Sequence, residues 1–441
     1  MTRLNLAAVL LGLSLCAPGI ALAQVQGNGT QDKNSTQAEA SATDSNFARD
    51  RNVSVFQRPR PDYEAPGIPA GGFTFYPRIV TDVVRDDNIY AGENTQVADW
   101  IFRVKPEAAL QSNWSRHALA LFAHAIFNRY ASNTTEDTTD YGVGGSGRVD
   151  IERGSNLTTG GSFDRLTEPR TAPTSPGAAT KPIRYDLWQA NAGLVKEFNR
   201  LRLTGRVNYF NYNYDNGTTA GGAVLLQNDR DRQMWTENGR AEYAVSPDTS
   251  LYVSATLNQR NYRLQPPVSA FNRDSTGYDV AVGANFDLTH LVRGEIQVGY
   301  LDQSYKDPHF AGDIKGLGFK AAVDWFPTEL TTVNLTASRS VEEAVGVAAS
   351  GYLSTNVGAK IDHELMRNVL ISANGSYGND DYRGADRTDK RAGAGVAATY
   401  LVNRNVGLRL AYDYLKLDSS GTAKNPSFSD NKVTGSLTFQ F

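Results

Sequence analysis

From Phe73 to the C-terminus, one segment after another alternates apolar and polar residues with a period of two. That period belongs to extended strands with one face in an apolar medium and the other in a polar one. In the last segment Val433, Gly435, Leu437, Phe439 and Phe441 share a face, and Lys432, Thr434, Ser436, Thr438 and Gln440 share the other. The segment before it sets Val406, Leu408, Leu410, Tyr412 and Tyr414 against Gly407, Arg409, Ala411 and Asp413. The stretches from Leu201, Val292 and Val369 read the same way. Over Ser115 to Asn128 the alternation is poor and the faces cannot be assigned.

About eighteen such segments, each roughly 10 to 16 residues, are separated by breaks that alternate in length. Short breaks include Arg153-Gly154-Ser155, Asn199-Arg200, Ser246-Pro247-Asp248, Pro327-Thr328 and Leu365-Met366. Long polar or Gly/Pro-rich breaks include Glu168 to Pro182, Asn216 to Asp229 and Asp418 to Ser429. Short turns at one end and long loops at the other is the layout of an all-β transmembrane antiparallel barrel, with short periplasmic turns and long outer loops. An even strand number puts both termini on the periplasmic side. A soluble sandwich or propeller also alternates. Against that reading, the segments exceed the roughly 5 to 6 residues usual in soluble sheets, and their apolar faces often end in Tyr or Phe, as an aromatic girdle does.

No apolar run after residue 23 approaches the roughly 18 residues a spanning helix needs, so a membrane location requires strands. Residues 1–23 read as a secretory signal: Arg3, the apolar run Leu4 to Ala17, and the small-x-small site Ala21-Leu22-Ala23. The chain's only cysteine, Cys16, lies inside it, and the preceding Leu15 disfavours a lipoprotein site. The exported chain then holds no disulfide, no thiolate metal site and no thiol nucleophile. Residues 24–70 form a separate periplasmic segment. Gln24 to Ser45 is too polar to offset its chain entropy and is expected to be disordered. The prolines of Arg58 to Gly67 make a semi-rigid, extended lead-in. Residues 71–441 are the barrel, placed in the outer membrane with lipid and the barrel-assembly machinery as partners and with Phe439 and Phe441 as C-terminal assembly signal.

A barrel of about eighteen strands, spaced about 4.8 Å and tilted about 40°, is roughly 35 Å across and water-filled. The polar faces supply the candidate pore-lining residues Arg202, Arg206, Arg240, Glu242, Arg293, Glu295, Arg409 and Asp413. Arg240/Glu242 and Arg293/Glu295 are i, i+2 pairs on one strand face. They either set up a transverse field or neutralise each other, and the second is the simpler reading. With 44 basic and 47 acidic residues the chain has no basic excess for nucleic acid.

Other signals point away from catalysis. Gly142-Val143-Gly144-Gly145-Ser146-Gly147 matches G-x-G-x-x-G, but an alternating strand follows where a dinucleotide site needs a helix. The reading preferred here is that these glycines let neighbouring side chains approach. The five histidines lack metal-ligand spacing. Ser115 and His117 are close, as in barrel hydrolases, yet Ser115 falls in a turn. No enzyme, metal or cofactor is expected, and the roughly 50 residues before the first strand are too few for a folded plug domain.

Two stretches carry a family resemblance. One is Arg58 to Pro77 with Asp87-Asn88-Ile89-Tyr90. The other is Val104-Lys105-Pro106 with Ser112-Asn113-Trp114-Ser115-Arg116-His117. Together they resemble the outer-membrane β-barrel porin family of the second type, whose members share a proline-rich lead-in, a first-loop D-N-I/V and an S-x-W-x-R-x turn. The resemblance is sharp over residues 58–117 and architectural beyond. It implies an outer-membrane barrel. Some members of such families serve as the outer-membrane conduit of exopolysaccharide export, which would add a periplasmic exporter as partner. Three functions therefore stand: a porin-like channel for hydrophilic solutes, a polysaccharide conduit, and a structural or adhesive barrel without transport.

Overall fold

A computed structural model describes residues 53–266, 268–269, 271–289, 291–310, 313–344 and 351–441. The secretory signal, the segment Gln24 to Ser45, Cys16 and His290 lie outside the described residues. Eighteen long strands form one closed antiparallel sheet. They are β1 (Phe73–Asp86), β2 (Asp99–Ser112), β3 (Ala118–Tyr130), β4 (Thr138–Glu152), β5 (Ser155–Thr167), β6 (Arg184–Phe198), β7 (Leu201–Tyr214), β8 (Arg232–Ser246) and β9 (Thr249–Tyr262). They continue with β10 (Ser275–Leu288), β11 (Val292–Tyr305), β12 (Ile314–Thr328), β13 (Thr331–Glu343), β14 (Gly351–Met366), β15 (Val369–Arg383), β16 (Thr388–Leu401), β17 (Val406–Ser420) and β18 (Phe428–Gln440). Each strand pairs with its neighbours in sequence. The ring closes where β1 meets β18, from Arg78↔Gln440 to Asp86↔Lys432. Closure removes the sheet's open edges, so the ladders supply backbone partners around the ring, which is what lipid demands.

The connections alternate as the sequence requires, with small shifts. The third strand starts at Ala118 rather than Ser115, and the last at Phe428 rather than Asp430. Pro327-Thr328 and Leu365-Met366 belong to strand ends, and the turns themselves are Glu329-Leu330 and Arg367-Asn368. The outer face is apolar: Trp188, Val253, Ile296, Val357 and Leu410 are all about half exposed or more.

The faces of β3 are resolved by its neighbour. Leu121 and Phe127 are exposed on the outside, while Phe122 and His124 stack on the opposite face at 6.4 Å. The inner face is apolar here too, which erases the alternation. These side chains lie over the glycines of β4. A Cβ on Gly144 would sit 2.4 Å from Phe122, one on Gly145 2.7 Å from Leu121, and one on Gly142 2.6 Å from His124 and 2.1 Å from Asp164. The G-x-G-x-x-G string is thus mid-strand, and glycine admits the bulk of β3 and β5.

The motif residues of the resemblance turn out to close the barrel. Asn88 donates to Gly92 O (3.0 Å) and to Ser429 O (2.9 Å), and Asp87 accepts from Asn431 N and Nδ2, both at 2.7 Å. The first loop is thereby stapled to the last strand. Trp114 packs edge-on against Phe73 with centroids 5.4 Å apart. Arg116 donates to Asp150 O and Ile151 O. His117, at φ 66, exchanges two hydrogen bonds with Asp150, backbone N to Oδ2 at 3.0 Å and Asp150 N to Nδ1 at 3.1 Å. His117 is thereby engaged in fastening the turn between β2 and β3.

Candidate pore and its two mouths

Alternation puts the candidate residues on the face opposite the apolar exterior, and the structure decides how they pair. Arg240 on β8 lies 3.1 Å from Glu242 on its own strand and 3.1 Å from Glu295 on β11, three strands away. The Arg240 and Glu295 side chains both lie on the face opposite the exposed Tyr243 and Ile296, the inner side of the sheet. The guanidinium also stacks 3.5 Å from the ring centroid of Tyr252 on β9, whose hydroxyl donates to Glu295 at 2.8 Å. Glu242 is buried and further accepts from Asn285 Nδ2 at 2.8 Å and from Ser250. One arginine thus offsets two carboxylates, each with extra donors, as buried charge requires.

Arg293 lies directly across the ladder from Asp324 on β12, with Nε 3.0 Å from Oδ2. Arg202 is buried and faces Glu197 and Glu242 across its two ladders. Arg206 lies against Gly193. Arg409 on β17 has one weak contact, Nη1 to Thr399 Oγ1 at 3.4 Å, and among the described residues no carboxylate forms an ion pair with it. Asp413, four residues on, is buried. Neither Phe439 nor Phe441 is buried, and the Phe441 amide donates to Pro77 O at 3.2 Å.

Pairs that sequence reasoning missed crowd the outer mouth. The loop after β5 folds over the inner face of β6 to β8, where Ala179 and Ile183 pack with Tyr185, Leu187, Phe210, Tyr212, Tyr214 and Met234. Glu168 at its root takes both Arg230 Nη groups, at 2.6 and 3.1 Å. Arg170 is bidentate to the buried Glu136 at 2.7 and 2.9 Å, and Pro173 O accepts from Asn425 at 3.1 Å. The loop therefore reaches the connection between β17 and β18. A second intrusion comes from β13. Its ladder with β12 extends only from Thr328↔Thr331 to Phe319↔Arg339, and its free end is held by Arg260, which pairs with Glu343, and by Tyr262 Oη, 2.6 Å from the same carboxylate. Strand alternation on β9 and β16 could have flagged Arg260 and Arg391, the latter bidentate to Asp380 at 2.8 and 2.9 Å. Nothing local marks the loop pairs.

A closed, loop-narrowed barrel with a charged interior sets the architecture, and the sequence profile of the family "Putative beta-barrel porin 2" matches residues 60–441. The chain belongs to that family. The porin-type barrel is accordingly an outer-membrane protein and a channel for solutes. No curated protein matches the chain. Among solved structures, Pseudomonas aeruginosa OccK2 (OpdF) is similar at 11% identity and TM-score 0.47, covering 83% of this chain and 98% of its own. Acinetobacter baumannii OccAB3 is similar at 14% identity and TM-score 0.45, covering 84% and 100%. The ferric enterobactin receptor PfeA of Pseudomonas aeruginosa, as a mutant, is similar at 6% identity and TM-score 0.46, covering 86% and 81%.

Proposed function

We propose that this porin-type barrel passes small hydrophilic solutes with little charge selection, along a path lined by Arg202, Arg206, Arg240, Glu242, Arg293, Glu295, Arg409 and Asp413. The observation that carries the reading is the neutralisation of the inner wall: Arg240 between Glu242 and Glu295, and Arg293 on Asp324. Paired charges leave little net potential for a passing ion to sense, while their polar edges keep the wall wet. Purified protein in a planar bilayer should conduct, with a reversal potential near zero in a KCl gradient. Absence of current from folded protein would remove the reading.

The polysaccharide-conduit alternative calls for open aromatic rings along the path. Of the tyrosines from 209 to 214 and from 412 to 414, Tyr212 and Tyr214 are buried under the loops and Tyr412 is exposed on the outer face. The export reading and its periplasmic exporter therefore rest on kinship alone, and unchanged surface polysaccharide after gene deletion would remove them. Phe439 and Phe441 are proposed as the signal read by the assembly machinery, to be checked by outer-membrane yield of Phe441→Ala.

A further inference from the structure

Residues 54–70, ahead of β1, are built into the periplasmic mouth. Val55 is fully buried, and its amide donates to Thr332 Oγ1 on β13 at 3.0 Å. The Lys360 ammonium on β14 lies 5.1 Å from the Phe56 ring centroid. Arg60, 4% exposed, places Nη2 2.5 Å from Glu364 Oε2 on β14 and donates from Nε to Arg367 O in the following turn. Arg58 donates to Glu329 O and lies 3.7 Å from Glu364. Further on, Pro61 O accepts from Arg404 at 2.8 Å and Tyr63 O from Gln440 at 3.5 Å. Ile68–Ala70 then pairs with β1.

The order of these contacts follows the order of the strands from β13 round to β18 and β1. Thr332, Lys360 and Glu364 share the face opposite the exposed Ile361 and Leu365, so the segment runs inside the rim. Pro59, Pro61 and Pro66 restrict the backbone of the free chain and so reduce the entropy lost on laying it down. Burying Arg60 and Glu364 together costs desolvation of several kcal/mol per ion, which their mutual contact and the carbonyl partners offset.

We infer that residues 54–66 are a size-selecting element at the periplasmic end of the channel, a strap that narrows that aperture. The inference rests on the channel reading above. With the strap seated, Glu364 is neutralised by Arg58 and Arg60. With it gone, Glu364 faces the mouth uncompensated, and the channel gains cation preference.

The test compares the whole chain with a variant lacking residues 54–66, in planar bilayers. The deletion should raise conductance by roughly half or more, admit larger polyethylene glycols and shift the reversal potential toward cations. Unchanged conductance and polymer cut-off in a folded barrel overturn the proposal. Should the deletion not fold, Val55→Cys and Thr332→Cys are combined with Arg58→Ala and Arg60→Ala in the full chain, whose only natural cysteine is Cys16. Reduced, the loosened strap should give higher or flickering conductance. Oxidised, the channel should return to the wild-type level. Equal conductance in both redox states overturns the proposal. A wild-type chain that conducts nothing defeats the channel reading instead.

Discussion

Arg230 meets Glu168 fork to fork in the outer mouth, Nη2 to Oε1 at 2.6 Å and Nη1 to Oε2 at 3.1 Å, with both side chains 5% exposed. The two residues belong to different loops, so this pair fastens the loop after β5 to the one before β8. The guanidinium also lies 4.0 Å from the ring centroid of Tyr214.

Removing one partner of such a pair leaves a buried charge, at a cost of about 3–5 kcal/mol where burial is complete. Arg230→Ala should therefore release the loop of residues 168–183 while the barrel stays intact. Limited proteolysis should cut this loop in the variant and spare it in the wild type, and conductance should rise. Adding Glu168→Gln should recover part of the protection, because the orphaned carboxylate is gone.

Arg240 offsets two carboxylates, so its loss leaves uncompensated negative charge on the inner wall, and it costs stability because Glu242 is buried. Arg240→Ala should make the channel measurably cation-selective, seen as a shifted reversal potential in a KCl gradient. Glu242→Gln combined with Glu295→Gln should shift it the other way. Identical reversal potentials in all three proteins would show that ions do not pass this cluster.

The glycines of β4 predict a paired result. A Cβ on Gly144 meets Phe122 at 2.4 Å, whereas one on Gly205 or Gly239 meets nothing within 4 Å. Gly144→Ala should cost about 1–3 kcal/mol through overpacking, lowering the urea midpoint of the refolded barrel. Gly239→Ala should leave it nearly unchanged. Phe122→Ala in the Gly144→Ala background should restore part of the loss, a coupling that independent sites do not show.

Asp307 supplies a pH handle outside the membrane. It accepts from the His309 amide at 2.9 Å and from the Asn272 amide at 2.8 Å, and these two bonds hold its carboxyl below the usual 3.8. A carboxylate with a depressed folded value stabilises above its ordinary pKa and loses that contribution as pH falls through the lower value. The link between the loops after β9 and after β11 should persist at pH 5 and fail only in stronger acid. Amide exchange at Asn272 and His309 against pH would show it. Asp307→Asn should exchange faster at pH 5 than the wild type.

Much of the architecture was legible because alternation is local. Val433 to Phe441, Val406 to Tyr414 and Leu201 to Tyr209 declare their faces without reference to any other strand, and break lengths assign the two ends. Where both faces are apolar, as around Phe122 and Ile126 in β3, that signal vanishes, and only the opposing glycines of β4 reveal which side is inside. On the candidate lining, the pairing of Arg240 with Glu242 was readable from the two-residue period, but the reach of Arg240 to Glu295 and the partner of Arg293 were not. Arg293 stands two residues from Glu295 and pairs with Asp324, because ladder register places β12 beside it.

By itself, then, the sequence determined a strand count of about eighteen, the faces of strands such as β7, β17 and β18, the order and the two ends, since each depends on the two-residue period and on where it breaks. Only the tertiary structure decided that Arg240 reaches Glu295, that the loop after β5 enters the mouth, that β13 bends away from β12, and that Arg60 seats the lead-in on Glu364. Those outcomes depend on curvature and closure, which bring together side chains from 55 to 304 residues apart and leave no periodic mark on the chain.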